Sequence, residues 1–258
     1  MERYFDSHAH YDDNRFDADR ETVIASLHQA GVLAVMNAAS DLPSSRAALE
    51  LARRYPFFWA SAGIHPHDAD TLDDAALEEI AALCREPEVV ALGEIGLDYY
   101  YDRSEREVQR QAFRRQLALA CELDIPVVIH SRDAAADTLE IVREYHPRGV
   151  VHCFSYSAEQ AREYLALGMY LGFTGVVTFP NAKKPLEAAA VVPLDRILIE
   201  TDCPYLAPAP YRGRRCDSTM LHATADALAA AKGISRQELL DAAWDNAMRV
   251  YGIANRTK

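Results

Sequence analysis

Near its start the chain reads FDSHAH, which places His8 and His10 two residues apart at the end of the strand candidate YFDSHAH. Residues two apart on a strand point to the same side, so both rings can aim a nitrogen at one point. Similar endings recur: His65 and His67 in GIHPH, Glu94 in VVALGEIGLD, His130 in PVVIHSR, His152 in GVVHCF and Asp202 in RILIETD. Of nine histidines, only His28, His146 and His222 fall on stretches of helical period. Taken alone, an H-x-H pair fits an exposed or packed strand end as well as it fits a ligand pair. Four imidazoles (His8, His10, His130, His152) with Glu94 and Asp202 are a different matter. That set suits a divalent cation such as Zn, Mn, Fe or Co better than an all-oxygen calcium cage, with Mg also compatible.

Six ligands exceed what one catalytic ion with open positions takes, so the economical reading is two divalent ions bridged by a carboxylate and a water. Some hydrolases bridge such ions with a carbamylated lysine. Here none of Lys183, Lys184, Lys232 and Lys258 sits at a strand end near a ligand, which leaves Glu94 as the bridge. Two divalent ions and two carboxylates sum to about +2, a positive spot able to hold an anion. Asp202 is the candidate to ligate one ion and to orient, or take a proton from, the attacking water. Glu94 and Asp202 are thus the catalytic candidates.

These residues converge only if the fold brings their strands together. Eight β-branched or apolar runs alternate with stretches of helical period, and runs such as PVVIH and ILIET are apolar at consecutive positions. Strands covered on both faces in a parallel sheet have that pattern. The helices have readable starts, with capping boxes expected at Ser104–Glu107, Ser157–Gln160 and Ser235–Glu238. The helix after Ser104 is expected to bury Val108, Phe113, Leu117, Ala120 and Cys121 along one face. Strand then helix, repeated through about 250 residues, is the rhythm of an α/β (β/α)8 TIM barrel, whose active site lies at the C-terminal ends of its strands. A doubly wound sheet is the runner-up, but no G-x-G-x-x-G follows the first strand. No linker or repeat divides residues 1–258, so one domain is expected.

Composition narrows the function classes. No apolar run is long enough to span a bilayer. The N-terminus has no basic region leading into an apolar stretch, and a cytoplasmic location is the expectation. The five cysteines include no C-x-x-C pair, which argues against a disulfide framework or a zinc ribbon. With 27 Lys and Arg against 39 Asp and Glu, the net charge of −12 makes any nucleic-acid contact a local one. Serine-hydrolase, P-loop and H-E-x-x-H motifs are missing.

Taken together, FDSHAH, GIHPH, ALGEIGLDYY, PVVIHSRDA, VHCFS, GFTGVVTF, ILIETDCPYLAP and NAMRVYGI resemble the TatD family of metal-dependent deoxyribonucleases, within the amidohydrolase-like barrels, from Asp6 to Ile253. The resemblance implies phosphodiester hydrolysis on DNA ends, single-stranded ends being expected, in the 3′–5′ direction and supported by Mg or Mn. It implies that His8 and His10 share one ion with Glu94 and Asp202, while Glu94, His130 and His152 hold the other. His65 would touch a substrate phosphate or bound water, or else make a structural hydrogen bond at its His-Pro turn. His67 is expected at the surface of that turn. The pattern breaks after LAPAPYRG, where the family usually has Asn-Glu-Pro and this chain has Cys216, Asp217 and Ser218.

Substrate contacts are less sharply marked. Arg212, Arg214 and Arg215 are the densest positive cluster, able to bind phosphates or to make structural ion pairs, and Arg132 is a further phosphate candidate. Lys183 and Lys184 fit the rim or a solvated helix start. Tyr99, Tyr100, Tyr101, Phe154 and Tyr205 could stack on bases or pack beneath loops. Asp98 could orient an imidazole or cap the next segment. Cys153 and Cys203 are expected to point away from the site as packed thiols. A small-molecule amide, ester or phosphoester hydrolase is the alternative function, a non-catalytic metal-binding scaffold the third, and no obligate protein partner is evident.

Overall fold

The apolar runs become strands because helices cover their outer faces and side chains fill the barrel inside. In the computed structural model, which describes residues 2–253, they are β1 (Tyr4–Ala9), β2 (Val32–Asn37), β3 (Phe58–Ala62), β4 (Val89–Asp98), β5 (Val127–Arg132), β6 (Gly149–Val151), β7 (Tyr170–Phe173) and β8 (Ile197–Ile199). They pair in parallel in chain order. The ring nearly closes at the C-terminal end, where the His10 N–H donates to the Cys203 carbonyl at 2.7 Å and the Asp202 N–H to the His8 carbonyl at 2.9 Å. This is the expected (β/α)8 barrel.

Helices α1 (Arg20–Leu27), α2 (Leu42–Arg54), α3 (Asp74–Leu83), α4 (Arg106–Glu122), α5 (Ala135–Tyr145), α6 (Ala158–Ala166), α7 (Lys183–Val191), α8 (Leu221–Lys232) and α9 (Arg236–Val250) surround it. Ser157 and Gln160 form the expected reciprocal cap of α6, and the Ser235 side chain accepts from the Glu238 N–H at the start of α9. Ser104 does not cap α4. That helix begins at Arg106, and the Ser104 hydroxyl donates instead to the His67 carbonyl at 3.1 Å, near the site. Phe113, Leu117 and Ala120 are buried, whereas Cys121 is exposed beyond the edge of that face.

Two strands are shorter than the sequence suggests. β6 stops at Val151 and β8 at Ile199, leaving His152 and Asp202 beyond them. Cys153 and Asp202 have φ of +46° and +59°, which an extended strand cannot accommodate. The run after Phe173 turns into a 3₁₀ turn, Gly175–Thr178, in place of continued strand.

One buried cluster explains why polar chemistry is confined to one end. Phe5, Ala34, Met36, Trp59, Val90, Val128, Val150, Tyr170 and Leu198 draw on all eight strands and pack against Ala247, Val250 and Tyr251. Only the barrel interior touches every strand, and most of these residues are the first or second of their strand. α9 and the residues just after it therefore close the N-terminal end with apolar surface, and the C-terminal end remains for ligands.

Gly96 in β4, between Glu94 and Asp98, has a φ of +140°, and a Cβ there would lie 2.0 Å from the His130 carbonyl oxygen. Gly168, after α6, has a φ of +80° but open space around it. Gly96→Ala is expected to lose more than about 4 kcal/mol in urea unfolding, because backbone must move. Gly168→Ala is expected to lose only about 1–2 kcal/mol, the cost of a left-handed alanine. Equal losses would show that the β4–β5 contact is not the constraint.

Candidate metal centre

β1, β4 and β5, with the turns leaving β3, β6 and β8, bring their polar residues to the barrel mouth. On one side of Glu94, its Oε2 lies 3.2 Å from His8 Nε2 and 3.7 Å from His10 Nε2. Asp202 Oδ1 lies 3.7 and 3.3 Å from the same two nitrogens, which are 3.1 Å apart. On the other side, Glu94 Oε1 lies 2.8 Å from His130 Nδ1, 2.9 Å from His152 Nε2 and 3.5 Å from His65 Nε2. The two oxygens of one carboxylate thus face two donor groups.

Donors each about 2.1 Å from a shared ion stand roughly 3.0–3.4 Å apart in octahedral or tetrahedral geometry. The separations around Glu94, from 2.8 to 3.7 Å, bracket that spacing, and the donors are imidazole nitrogens and carboxylate oxygens, so the residues suit divalent cations on both sides. His8, His10, Glu94 and Asp202 could hold one; Glu94, His130 and His152, with His65 adjacent, could hold another.

Electrostatics agrees with this reading. Burial pushes the His8 and His65 imidazoles below their ordinary range, His65 to about 4, so both are neutral donors. Burial also acts against charge on His10, but Asp202 and Glu94 outweigh it and raise His10 to about 9. His130 and His152 are raised in the same way, despite burial, by carboxylate neighbours. Although burial alone would raise Glu94, the surrounding imidazoles hold it well below the carboxylate range. Positive charge is what this pocket demands, supplied by protons or by metal.

Behind these donors stand three buried carboxylates. Asp98 Oδ2 lies 3.2 Å from His130 Nε2 and 2.9 Å from His67 Nε2, while its Oδ1 accepts from the Tyr100 and Tyr101 N–H groups. It orients an imidazole and shapes the following loop at once. His67 is accordingly drawn inward, in place of the surface position expected for it, because Asp98 gives its ring a partner. His65 keeps its turn role as well, its Nδ1 accepting from the His67 N–H at 3.2 Å.

Glu200, which sequence reasoning passed over, lies 3.5 Å from His152 Nδ1 and accepts from the Cys153 N–H. It stands on the side of the ring opposite the nitrogen that faces Glu94 and makes no hydrogen bond to the ring, so it gives His152 a negatively charged neighbour. Its signal was a carboxylate inside the apolar run ILIETD. Room for it comes from Gly172, where a Cβ would stand 2.3 Å from Glu200 Oε2. Asp6, the first acid of FDSHAH, is also fully buried. It accepts from the Thr201 N–H at 2.9 Å, the Thr201 hydroxyl at 2.6 Å and the Ser218 hydroxyl at 2.6 Å, and burial raises it to about 7. It ties the strand carrying His8 to the turn carrying Asp202. Ser218, at the expected proline position, also meets the Tyr11 hydroxyl at 2.7 Å.

The remaining candidates separate. Arg215 pairs with Asp19 at 2.6 Å, whereas Arg214 is exposed and the exposed Arg212 lies 3.8 Å over the Phe179 ring. Lys183 opens α7 in solvent. Phe154 is buried and the Tyr99 hydroxyl is bound to Asp137, while Tyr100, Tyr101 and Tyr205 are exposed. Cys203 is buried, and Cys153, partly buried, places its sulfur 3.4 Å from the Thr174 hydroxyl, its thiol pushed up to about 12 first by burial. No helix among the described residues is long and apolar enough to cross a membrane.

Known proteins match this arrangement throughout its length. The profile of the family described as TatD related DNase matches residues 5–252. The uncharacterized metal-dependent hydrolase YabD of Bacillus subtilis (strain 168) is 40% identical over 96% of this chain and 99% of its own. The 3'-5' ssDNA/RNA exonuclease TatD of Cronobacter turicensis is 43% identical over 79% of each chain. The crystal structure of YJJV, a TatD homolog from Escherichia coli K12, superposes with a TM-score of 0.92 at 30% identity, covering 97% of this chain and 98% of that one. The chain belongs to the TatD related DNase family of metal-dependent hydrolases, which act on ester bonds.

Proposed function

We propose that this protein is a 3′–5′ exonuclease on single-stranded DNA ends, working with two divalent ions and a water nucleophile. The observation that carries the reading is the division of Glu94 between two donor groups, Oε2 toward His8, His10 and Asp202 and Oε1 toward His130 and His152. The exonuclease name of the Cronobacter relative supports the substrate class.

Bound at the two groups, divalent ions such as Mg, Mn or Zn supply Lewis acidity to a phosphoryl oxygen and bring the pKa of water toward neutrality. The protein's own part is positional. Asp202 presents a carboxylate oxygen at the mouth, where it orients the attacking water and accepts its proton. Asp98 fixes the His130 ring through Nε2, and the Glu200 carboxylate places negative charge 3.5 Å from His152 Nδ1. His65, neutral and beside Glu94, offers a contact to the phosphate, and Arg132, Arg212 and Arg214 stand at the rim as further phosphate contacts. A small-molecule hydrolase on the same centre remains the competing reading; the Cys216–Ser218 departure supports it only as a change in the entry loop.

Metal-stripped protein reconstituted separately with Mg, Mn and Zn should bind two ions per chain by elemental analysis and shorten a 5′-labelled single-stranded oligonucleotide one nucleotide at a time. A 3′-labelled strand should release its label in the first step. Asp202→Asn should reduce the rate by about 10²-fold or more. One ion per chain, or unchanged activity in the variant, would remove the mechanism, and intact strands with both ions bound would shift the function to the small-molecule alternative.

Proton competition gives a separate expectation. His10 has a folded-state value of about 9, above its ordinary 6.5, so its charged form stabilises the metal-free protein below about pH 6.5. That contribution is lost as pH rises through about 9. A cation must displace this proton, and the raised His130 and His152 add theirs at the other donor group, so affinity should rise with pH toward 9, by up to roughly tenfold per unit for each proton displaced. Calorimetry in buffers of different ionisation enthalpy should show proton release at pH 7 that falls as pH rises through 9. A flat affinity would disprove the competition.

A further inference from the structure

Among the described residues, three large hydrophobic side chains are exposed, Tyr100, Tyr101 and Tyr205, and all three stand beside the metal centre. Tyr100 and Tyr101 follow β4, which carries Glu94 and Asp98. The Tyr101 ring is 5.4 Å from that of His67, on the side of His130. Tyr205 follows Asp202, and its ring is 6.4 Å from that of His10, on the opposite side of Glu94. Exposed aromatic surface on a soluble face calls for an occupant when it is clustered at a site, rather than scattered.

The charges around these rings indicate what that occupant is. The Arg132 guanidinium lies 4.0 Å from the Tyr100 ring centre and 4.8 Å from that of Tyr101, with Arg103 at 5.8 Å from Tyr101. Arg15 lies 4.3 Å from the Tyr205 ring centre, and the Tyr205 hydroxyl donates to Asp13 at 2.8 Å, which fixes the ring. Arg15, Arg103 and Arg132 form no salt bridge among the described residues, although the chain carries 39 acidic groups. A ring with a guanidinium over one face, in a residue still 58% exposed for Tyr100 and 40% for Tyr205, offers its other face to a flat heterocycle, and the guanidinium is a partner for the phosphate attached to it.

From this we infer that Tyr100–Tyr101 and Tyr205 are two stacking platforms that hold unpaired nucleobases on either side of the phosphate at Glu94, with Arg132 and Arg15 reaching the adjoining phosphates. The inference rests on the nuclease reading above and deepens it. Stacking on rings requires base faces free of a neighbouring base pair, so the platforms select a single-stranded or frayed end. Because every base has a π face, they tolerate any sequence. Arg132 acts here by geometry on both ring and phosphate, a role that lysine, without a planar group, does not fill.

The test compares hydrolysis of two single strands by the metal-loaded protein, one normal and one whose last three residues are abasic, so that phosphates remain and bases do not. The wild-type protein should show a KM for the normal strand lower by at least about five- to hundredfold, the value for a single stacked base, since two platforms lose their bases in the abasic strand. The Tyr100→Ala/Tyr101→Ala and Tyr205→Ala variants should each raise KM for the normal strand and leave the abasic strand nearly unchanged. Phenylalanine at positions 100 and 101 should restore the normal value, since the ring and not the hydroxyl binds, and at 205 it should restore most of it, the Asp13 contact being lost. Equal KM for both strands in the wild type, or equal loss on both strands in the variants, would overturn the platforms while leaving the nuclease intact. Failure to cleave either strand with two ions bound would remove the nuclease reading and the platforms with it.

Discussion

A carboxylate with both oxygens inside a barrel mouth must be surrounded by positive charge, and Glu94 is that carboxylate. It is only 4% exposed, and its oxygens meet five imidazoles. Removing an ion from water costs several kcal/mol even after relaxation, which neighbouring charge must offset. Protons on His10, His130 and His152 can do so in the metal-free protein, and divalent cations can do so more strongly. The same demand explains why neutral His8 and His65 stand beside raised imidazoles: the group as a whole accommodates cations, and individual rings share the charge unequally.

The barrel supplies the rigidity on which that arrangement depends. Its N-terminal end is filled by apolar residues from all eight strands against Tyr251 and Val250, so no polar group needs a partner there. At the other end, the His130 and His67 rings are oriented from behind by Asp98, and backbone position is set by Asp6. Asp6 is the farthest-reaching of these, because one carboxylate joins the first strand, the turn after the last strand and the Ser218 loop. The break from Asn-Glu-Pro therefore has a local structural consequence: Ser218 adds a hydroxyl that both Asp6 and Tyr11 use, where proline has none.

Much of this was legible in the sequence for physical reasons. Strands buried on both faces leave consecutive apolar residues, and a barrel gathers the ends of separate strands, so His8, His10, Glu94, His130, His152 and Asp202 group together on sequence pattern alone. What escaped depended on contacts between distant segments. Glu200 is one carboxylate in an apolar run until Gly172, from the neighbouring strand, is seen to make room for it. His67 looked like a turn residue because its partner, Asp98, lies 31 positions away. Ser104 carried the local pattern of a cap, but the His67 carbonyl competes for its hydroxyl, and the helix starts two residues later. The ends of β6 and β8 were misjudged because a positive φ at Cys153 and Asp202 leaves no trace in hydropathy.

The overall charge of −12 sharpens the contrast between the body of the protein and its mouth. A polyanion gains no long-range attraction from such a surface, and ions in solution screen fields beyond about 10 Å. Recognition must therefore come from contacts made within a few ångströms. The donor groups around Glu94 can offer net positive charge once loaded, and the free guanidinium groups nearby are held over aromatic rings rather than spread across the exterior. A buried charge demand at the centre and aromatic surface at its edges together favour a substrate that presents a phosphodiester and an unpaired base at the same point. The chain end of a single-stranded nucleic acid combines both features without requiring the acidic exterior to approach a duplex.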